Sequence, residues 1–467
     1  MQPSRDCNVI LTPAMRLIAA VLVGVVAGAL YTVSPLTAWC IPLALIVLTL
    51  AGRGLPAHER RWLNALLVIA LALRLAIIGA MFTVNTPLHD DESVAMLNGD
   101  EAYGLSRALR TRDVLTAAPV TQYDYFVAYD EYGRNSYITM LTAIQMLFGP
   151  TPYSMRLLNT ICFVVAAILL FRLTRTAFGA PPAFGGLVVL LFLPTLFAWS
   201  ISLLKEPIYL FVTAVVLTAA VSVVRPGPWR TRTLAFVAMV AGLALTRDLR
   251  PSALPLALLG LGCGLVALWF FSTPFRYRMA LAVLVILAVF LITSRTSAQQ
   301  RVLGTLDAAA KTQTGHVFTV GHAYKLLDDE FYFEPVTPLG STFTLTGAEA
   351  ARYVIRAAVS FVFTPFPWEF ASPRELLFLP EHTLWYVMAA LFPFGLVAGW
   401  RRDPAVTMLL AGYMLPTAAA IALTNGNVGT LLRLRGIVVP YVVWVSAVGF
   451  FAVLQSVAAR NRPAVAA

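Results

Sequence analysis

The sequence predicts an all-α, polytopic helical membrane protein, and two observations carry that prediction. Hydrophobic residues make up 59% of the 467 residues and charged residues only 12%. The apolar residues are grouped in repeated runs, each long enough to cross the roughly 30 Å of hydrocarbon in a bilayer. A soluble globular core is therefore not expected, and helices are the simplest way to satisfy the backbone inside lipid.

About 12 transmembrane helices are predicted, together with helices and loops on the outer face. The apolar runs lie at residues 17–33, 37–52, 63–83, 155–172, 184–202, 207–224, 233–246, 252–271, 277–294, 383–399, 405–424 and 436–455. Two further segments, 136–148 and 350–364, are short or interrupted by charge, so they could span or lie along the interface.

The distribution of arginine decides between these alternatives. If the N-terminus is cytoplasmic and both doubtful segments stay outside, the inner loops collect most arginines and almost no acids: Arg53, Arg60, Arg61, Arg172, Arg175, Arg225, Arg230, Arg232, Arg276, Arg278, Arg401, Arg402, Arg460 and Arg462. This is the positive-inside pattern, and it explains the formal charge of +11 without nucleic acid. We expect an integral protein of a bacterial cytoplasmic (inner) membrane.

One membrane domain covering residues 1–467 is expected, because no repeat or linker divides the chain. It would comprise two extra N-terminal spans (1–61), a core (62–294) with a first outer loop (84–135), an outer loop with an interfacial helix (295–382), and C-terminal spans (383–467).

The first outer loop holds nine of the 23 acidic residues. Its segment NGDEAYGLSRALR (98–110) predicts a short amphipathic helix that starts near Asp100. Asn98 and Glu101 have the spacing of a capping box, which could account for Glu101 but leaves Asp100 unexplained. A second pair, Asp130 and Glu131, could join the first in binding a hydroxyl-bearing acceptor, or a divalent metal with it.

Three segments resemble a known family. They are DEA (100–102) after an early span, LFGPTPYSMRLLN (147–159) at the start of a later helix, and FRLTRTAFG (171–179) at its end. Together they resemble the C-type membrane glycosyltransferases, in particular the protein O-mannosyltransferase and aminoarabinose transferase group, over roughly residues 62–270. The chain departs from that family by its two extra N-terminal spans and by the spacing of its second acids.

The resemblance implies a catalytic role for the first carboxylates. In that family a carboxylate of the first outer loop is the general base, and it removes the acceptor's proton while the acceptor displaces a polyprenyl phosphate from the sugar. Asp100 matches that base, with Glu101 beside it in the catalytic group. Asp130, Glu131 and Tyr103 are the candidates for the acceptor or second acidic position.

A leaving phosphate needs cations on the same outer face as the acids. The candidates break the positive-inside pattern, and they are Lys205, Arg247, Arg250, Arg433 and Arg435. Pairing of Arg247 with Asp248, or of Lys205 with Glu206, is the structural alternative for those two cations. We expect Arg433 and Arg435 to contact the phosphate, because arginine binds phosphate oxygens bidentately.

Two other groups of residues carry weaker signals. Outer aromatic residues gather in TPFPWEF (364–370), where an interfacial belt is the usual explanation and sugar stacking by Trp368 is the alternative. His316 and His322 are six residues apart with no third ligand in register, so a metal site there is not expected.

The sequence therefore predicts an inverting transferase that moves a sugar from a polyprenyl-phosphate donor to a lipid, glycan or protein acceptor at the periplasmic face, with membrane lipids as the other partners. One alternative is an O-antigen or exopolysaccharide polymerase or ligase that uses a polyprenyl-diphosphate-linked glycan. A more remote one is a lipid or solute transporter, which would have internal repeats and broken helices.

Overall fold

A computed structural model describes residues 21, 24–25, 28, 35–85, 99–130, 135–149, 152–250, 252–293, 296–319, 321–333, 344–369, 376 and 378–460. This part of the chain is 87% helical and contains no strand, which confirms the all-α class. Several expectations fall outside it, including most of the first apolar run, the cap residue Asn98, and Glu131.

The described helices are, in chain order, α1 (Pro35–Ala51), α2 (Ala57–Asn85), α3 (Gly99–Leu115), α4 (Gln122–Tyr129), α5 (Ser136–Phe148), α6 (Pro152–Phe178), α7 (Ala180–Phe192), α8 (Pro194–Ser200), α9 (Glu206–Val224), α10 (Trp229–Leu249), α11 (Ala253–Ser272), α12 (Phe275–Thr293), α13 (Thr296–Val317), α14 (Glu330–Phe333), α15 (Gly347–Phe363), α16 (Leu379–Arg402), α17 (Pro404–Thr424) and α18 (Val428–Arg460).

Seven of these helices are long and apolar enough to cross a membrane, and they are α2, α6, α9, α11, α16, α17 and α18. Each coincides with a predicted span. An eighth predicted span is α7 followed by α8, which are bent by 64° at a break. Proline at residue 194 explains the break, because it lacks the N–H that would continue the helix.

The predicted number of 12 spans is not confirmed. Helix α1 has only 17 residues, and α10 has Arg230 and Arg232 at one end and Arg247 at the other, which leaves a short apolar centre. The doubtful segments both form helices, α5 and α15. Helix α15 buries Ala350, Tyr353, Ala357 and Phe361 on one face, the spacing of an amphipathic helix.

The polar segments contain more helix than the sequence suggested. The predicted helix near Asp100 is confirmed as α3, which extends to Leu115. Helix α13, 22 residues long, occupies the start of the segment 295–349 that we expected to be a polar loop. Polar residues are compatible with a helix when few glycines and no proline interrupt them.

The chain divides into two compact units. The first comprises Met1–Cys162 and Ser200–Lys205, and the second comprises Phe163–Trp199 and Glu206–Ala467. In the first unit, α3 packs against α4 and α5. The Thr142 hydroxyl lies 3.4 Å from the carbonyl oxygen of Ala108 and 3.0 Å from that of Ile138. The expectation of one domain over the whole chain stays a prediction.

The second unit is built around α18, which packs against α7, α16 and α17. Glycines allow several helices to approach closely. A Cβ atom added at Gly260 of α11 would lie 2.8 Å from Cα of Tyr413 in α17, and one added at Gly264 would lie 2.8 Å from the carbonyl oxygen of Met408. Small residues at such contacts are typical of helix packing within membranes.

Candidate functional site

The two adjacent carboxylates in the first turn of α3 differ in their exposure to solvent. Asp100 is exposed, whereas Glu101 is completely buried. Glu101 forms an ion pair with Arg156 of α6, with 3.0 Å between Oε2 and Nη2 and no exposure of either side chain. The same carboxylate oxygen accepts a hydrogen bond of 3.0 Å from the backbone N–H of Leu203. Two charges that are buried away from water need each other and further hydrogen bonds to their remaining polar atoms.

Arg156 and its neighbours on α6 hold the segment Ser200–Lys205, which runs from the end of α8 through a turn to the start of α9. Arg156 donates a hydrogen bond of 2.9 Å to the carbonyl oxygen of Ile201. The Asn159 amide nitrogen donates to the carbonyl oxygens of Ser202, at 2.7 Å, and Leu204, at 2.9 Å. These buried bonds satisfy backbone groups that have no helical partner, which is the usual requirement away from water.

Further side chains complete this polar cluster. The Thr160 hydroxyl donates to the carbonyl oxygen of Ser200 at 2.9 Å. Arg74 of α2 donates through Nε to the Ser200 hydroxyl at 2.7 Å and through Nη1 to the carbonyl oxygen of Ala70 at 3.1 Å. The start of the segment is therefore fixed by two helices.

The cluster determines where two predicted site residues lie. Asp100 precedes Glu101 in the first turn of α3, and Lys205 follows Leu203 by two residues at the half-buried end of the segment. The hydrogen bond between Glu101 and Leu203 therefore holds in place the backbone next to Asp100 and the backbone that leads to Lys205. Glu101 acts in this structure as a positioning group. Asp100 is the exposed carboxylate of the two.

The second acidic position is organised by Arg107, which is 1% exposed. Its Nη1 donates to the Tyr103 hydroxyl at 2.8 Å, and its Nη2 donates to the backbone carbonyl of Asp130. Tyr103 is exposed and Asp130 half-buried. Glu131 lies outside the described residues. The acceptor role expected for Asp130, Glu131 and Tyr103 stays a prediction.

Another acid of the same loop has a structural role. Asp124 caps α4 by accepting hydrogen bonds from the backbone N–H and hydroxyl of Thr121, and it forms an ion pair of 2.8 Å with Arg110. The hydrogen bonds from Thr121 lower the pKa of the Asp124 carboxyl below its ordinary value, and Arg110 adds to this effect. Asp124 therefore stabilises the structure of the loop and is not a candidate ligand-binding residue.

Among the predicted phosphate ligands, Arg250 is engaged with an acid that we had considered a partner for Lys205. Arg250 Nη2 lies 2.5 Å from Oε1 of Glu206, which is 2% exposed. Its guanidinium also lies 5.8 Å from the ring centre of Tyr209. Arg247 is exposed at the end of α10. The phosphate-binding roles of these residues stay predictions.

Arg435 is 3% exposed and lies beside two aromatic rings. Its guanidinium carbon is 5.6 Å from the ring centre of Phe361 and 5.4 Å from that of Trp385. Its Nη2 donates to the carbonyl oxygens of Ser360, at 3.1 Å, and Thr364, at 2.5 Å. Its Nε and Nη1 are buried and have no hydrogen-bond partner within the described part of the chain.

Arg433 and Arg435 do not form one fork. They are two residues apart in α18, and side chains at that spacing in a helix do not face each other. Arg433 is half-buried, whereas Arg435 is buried. Arg435, with two unfilled donors, is therefore the better candidate for an anion.

Two rings that lie beside Arg435 also line an apolar groove of about 380 Å³. It is formed by α15, α16, α17 and α18, and Phe361 and Trp385 are part of its wall. The remaining lining residues are also apolar, and small ones provide much of the space: Ala357, Ala358, Ala389, Ala418 and Ala422. The groove and the unfilled N–H groups of Arg435 belong to the same unit.

Sequence reasoning found the acids but missed the side chains that fix them. Arg156 and Asn159 lie in the family-like segment 147–159, and a polar residue inside an apolar helix was the available signal. The acids belong to the first unit and Arg435 to the second, so the expected joint site stays a prediction. Within the described residues, no group of three or more His, Cys, Asp or Glu side chains could hold a metal ion.

Comparisons with known proteins give no relative. No family model matches the chain, and neither a curated protein nor a solved structure is significantly similar to it.

Proposed function

We propose that this protein is a membrane glycosyltransferase that moves a sugar from a polyprenyl-phosphate donor to an acceptor at the outer face of the cytoplasmic membrane. The observation that carries the proposal is the exposed Asp100 next to the buried, ion-paired Glu101. A general base must be reachable by the acceptor and held in place by its surroundings. The two neighbouring carboxylates divide these tasks.

The proposed reaction is a single inverting displacement. Asp100 accepts the proton of the acceptor's hydroxyl or amino group while that atom forms the bond to the anomeric carbon. The bond from that carbon to the phosphate oxygen breaks, and the polyprenyl phosphate leaves with the electron pair.

The groove and Arg435 support an amphiphilic, anionic donor. The apolar groove suits a hydrocarbon chain, and its walls Phe361 and Trp385 also contact the guanidinium of Arg435. The buried Nε and Nη1 of Arg435 could donate to phosphate oxygens. Charge-assisted bonds of this kind would stabilise the leaving group, as preorganised donors do in other enzymes.

Contacts within the second unit support the proposed topology of about 12 spans. Residues that we assign to the inner face meet there in two pairs: Arg225 forms an ion pair with Asp403, and Arg402 donates to the carbonyl oxygen of Phe178 at 2.9 Å. The residues that we assign to the outer face also meet one another, since the backbone N–H of Val428 donates to the carbonyl oxygen of His322 at 2.8 Å. The proposed interfacial roles of α5 and α15 follow from the same topology.

Substitution of Asp100 is the direct test. In membranes given a radiolabelled polyprenyl-phosphate sugar and an acceptor extract, Asp100→Asn should abolish transfer without lowering expression. Asp113→Asn, in the same helix, is the matched control and should retain transfer. Full transfer by Asp100→Asn would refute the proposal and favour a polymerase or ligase that works from a diphosphate donor and depends on Arg435.

A transporter is the second candidate, because one observation favours it. Helices α7 and α8 form a broken span, and the backbone N–H of Thr195 at the start of α8 donates to Glu381 at 3.0 Å. Broken helices with polar groups at the break are typical of transporters. Uptake or flipping of a lipid-linked sugar by reconstituted Asp100→Asn protein, with no transfer by the wild type, would establish this alternative.

A further inference from the structure

Three aromatic rings form a parallel stack at the turn that follows α15. The rings of Phe363 and Phe366 are 6.4 Å apart with an angle of 5° between their planes, and those of Phe366 and Trp368 are 4.8 Å apart with an angle of 11°. Trp368 is 77% exposed. One face of its indole is covered by Phe366, and the opposite face is open.

Side chains of α16 and α18 hold the backbone beneath this stack. The Tyr386 hydroxyl lies within hydrogen-bond distance of two carbonyl oxygens, that of Phe363 at 2.8 Å and that of Pro365 at 2.9 Å. The Trp385 indole N–H donates to the carbonyl oxygen of Val362 at 2.9 Å. Arg435 donates to the carbonyl oxygen of Thr364. The position of the stack is therefore fixed before any ligand binds.

A carboxylate closes the turn that carries the indole. The backbone N–H of Phe366 donates to Oε2 of Glu369 at 2.8 Å, and the N–H of Glu369 donates back to the carbonyl oxygen of Phe366 at 2.9 Å. Glu369 is half-buried and directly follows Trp368 in the chain. Glu369 therefore closes the turn that carries Trp368.

We propose that the open face of Trp368 is a binding platform for a pyranose ring. A pyranose presents axial C–H groups on a ring face, and such a face packs on an aromatic ring. A fixed platform lowers the cost of binding, because little side-chain entropy is lost. Whether the pyranose belongs to the donor or to the acceptor rests on the proposed transferase function. Binding of a pyranose to Trp368 does not depend on that function.

An interfacial anchor is the other explanation for an exposed tryptophan. Exposed tryptophans on helix surfaces fit that explanation, and Trp229, 72% exposed at the start of α10, is one of them. An anchor needs neither a ring stacked beneath it nor a backbone fixed by three side chains. Trp368 has both, which favours a ligand with a flat face.

Binding can be measured without turnover. The probe is methyl α-mannopyranoside or methyl β-glucopyranoside, added to the full-length protein in nanodiscs and observed by saturation-transfer difference NMR. We expect transfer to the axial C–H protons of one ring face. Trp368→Ala should weaken binding about 3- to 10-fold, the range for loss of one aromatic contact, and Trp368→Phe should retain part of it. Trp229→Ala, the matched control, should bind as the wild type does.

Three results would overturn the platform. They are equal saturation in Trp368→Ala, equal saturation of glycerol, which has hydroxyls but no ring face, and strong quenching of Trp368 by shallow nitroxide lipids without any response to sugar. In transfer assays, a change in the KM for acceptor alone in Trp368→Ala assigns the platform to the acceptor, and a change for donor alone assigns it to the donor sugar. Absence of transfer in the wild type would contradict the proposed function and leave the binding result intact.

Discussion

Removing one partner of the buried pair between Glu101 and Arg156 should strongly destabilise the protein. Neither side chain has any exposed surface, and their charged atoms are 3.0 Å apart. Arg156→Met keeps most of the side-chain length but leaves the Glu101 carboxylate without its counter-charge. Loss of one partner of a fully buried pair costs about 3–5 kcal/mol, a large share of the roughly 5–15 kcal/mol by which folded domains are usually stable.

The double variant Glu101→Gln/Arg156→Met separates charge from packing. It removes both charges together, so we expect it to be more stable than either single variant, because no buried charge remains uncompensated. Arg110→Met is the control, since its ion pair with Asp124 is partly exposed and should contribute only about 0–1 kcal/mol.

Thermal denaturation in detergent, followed by fluorescence-detected size exclusion, measures these effects. The single variants should melt well below the wild type, and the control should melt with it. An unchanged melting temperature for Arg156→Met, or a double variant as unstable as the sum of both singles, would refute the reasoning. Transfer by Glu101→Gln should fall even where the protein is still folded, because Asp100 would lose its fixed position.

Three other predictions follow from particular contacts. Gly260→Ala should lower the melting temperature by separating two helices, at a cost of about 1–3 kcal/mol, whereas Gly262→Ala, with nothing within 4 Å of the new methyl group, should be neutral or stabilising. The folded-state pKa of Asp124 is lowered, so its contribution to stability is present above its ordinary pKa of 3.8 and is lost as the pH falls through the folded value. Thr121→Ala should therefore make α4 lose hydrogen-exchange protection at a higher pH than in the wild type. Arg435→Lys keeps the charge but cannot replace the planar fork, so the KM for donor should rise, and an unchanged KM would exclude a phosphate contact.

The apolar helices could be predicted because their signal is local. Length and hydropathy suffice to find α2, α6, α9, α11, α16, α17 and α18, whose apolar runs meet the requirement of a bilayer without reference to any other part of the chain. The same signal cannot distinguish a straight span from a broken one. The hydropathy of residues 184–202 gives no sign of the bend at Pro194. Helix α13 was missed because its residues are polar, and a polar helix has no hydropathy signal.

The candidate site could be predicted only as a set of residue types. The sequence shows carboxylates in the first loop and arginines in later ones, but not their partners. Glu206 lies next to Lys205 in the chain and yet pairs with Arg250. Glu206 begins α9 and Arg250 follows the last residue of α10, and these two helix ends approach each other only in the folded unit. Arg435 lacks a neighbouring acid, and its contacts are backbone carbonyls and aromatic rings from two other helices.

The sequence by itself determined that this is a helical membrane protein with carboxylates gathered near the start of α3, since both properties depend on composition along the chain. The tertiary structure alone decided which of two adjacent acids is accessible. Successive residues of a helix point about 100° apart, so Asp100 and Glu101 must face different surroundings. Only the arrival of Arg156 and Leu203, distant in sequence, makes the side of Glu101 the buried one.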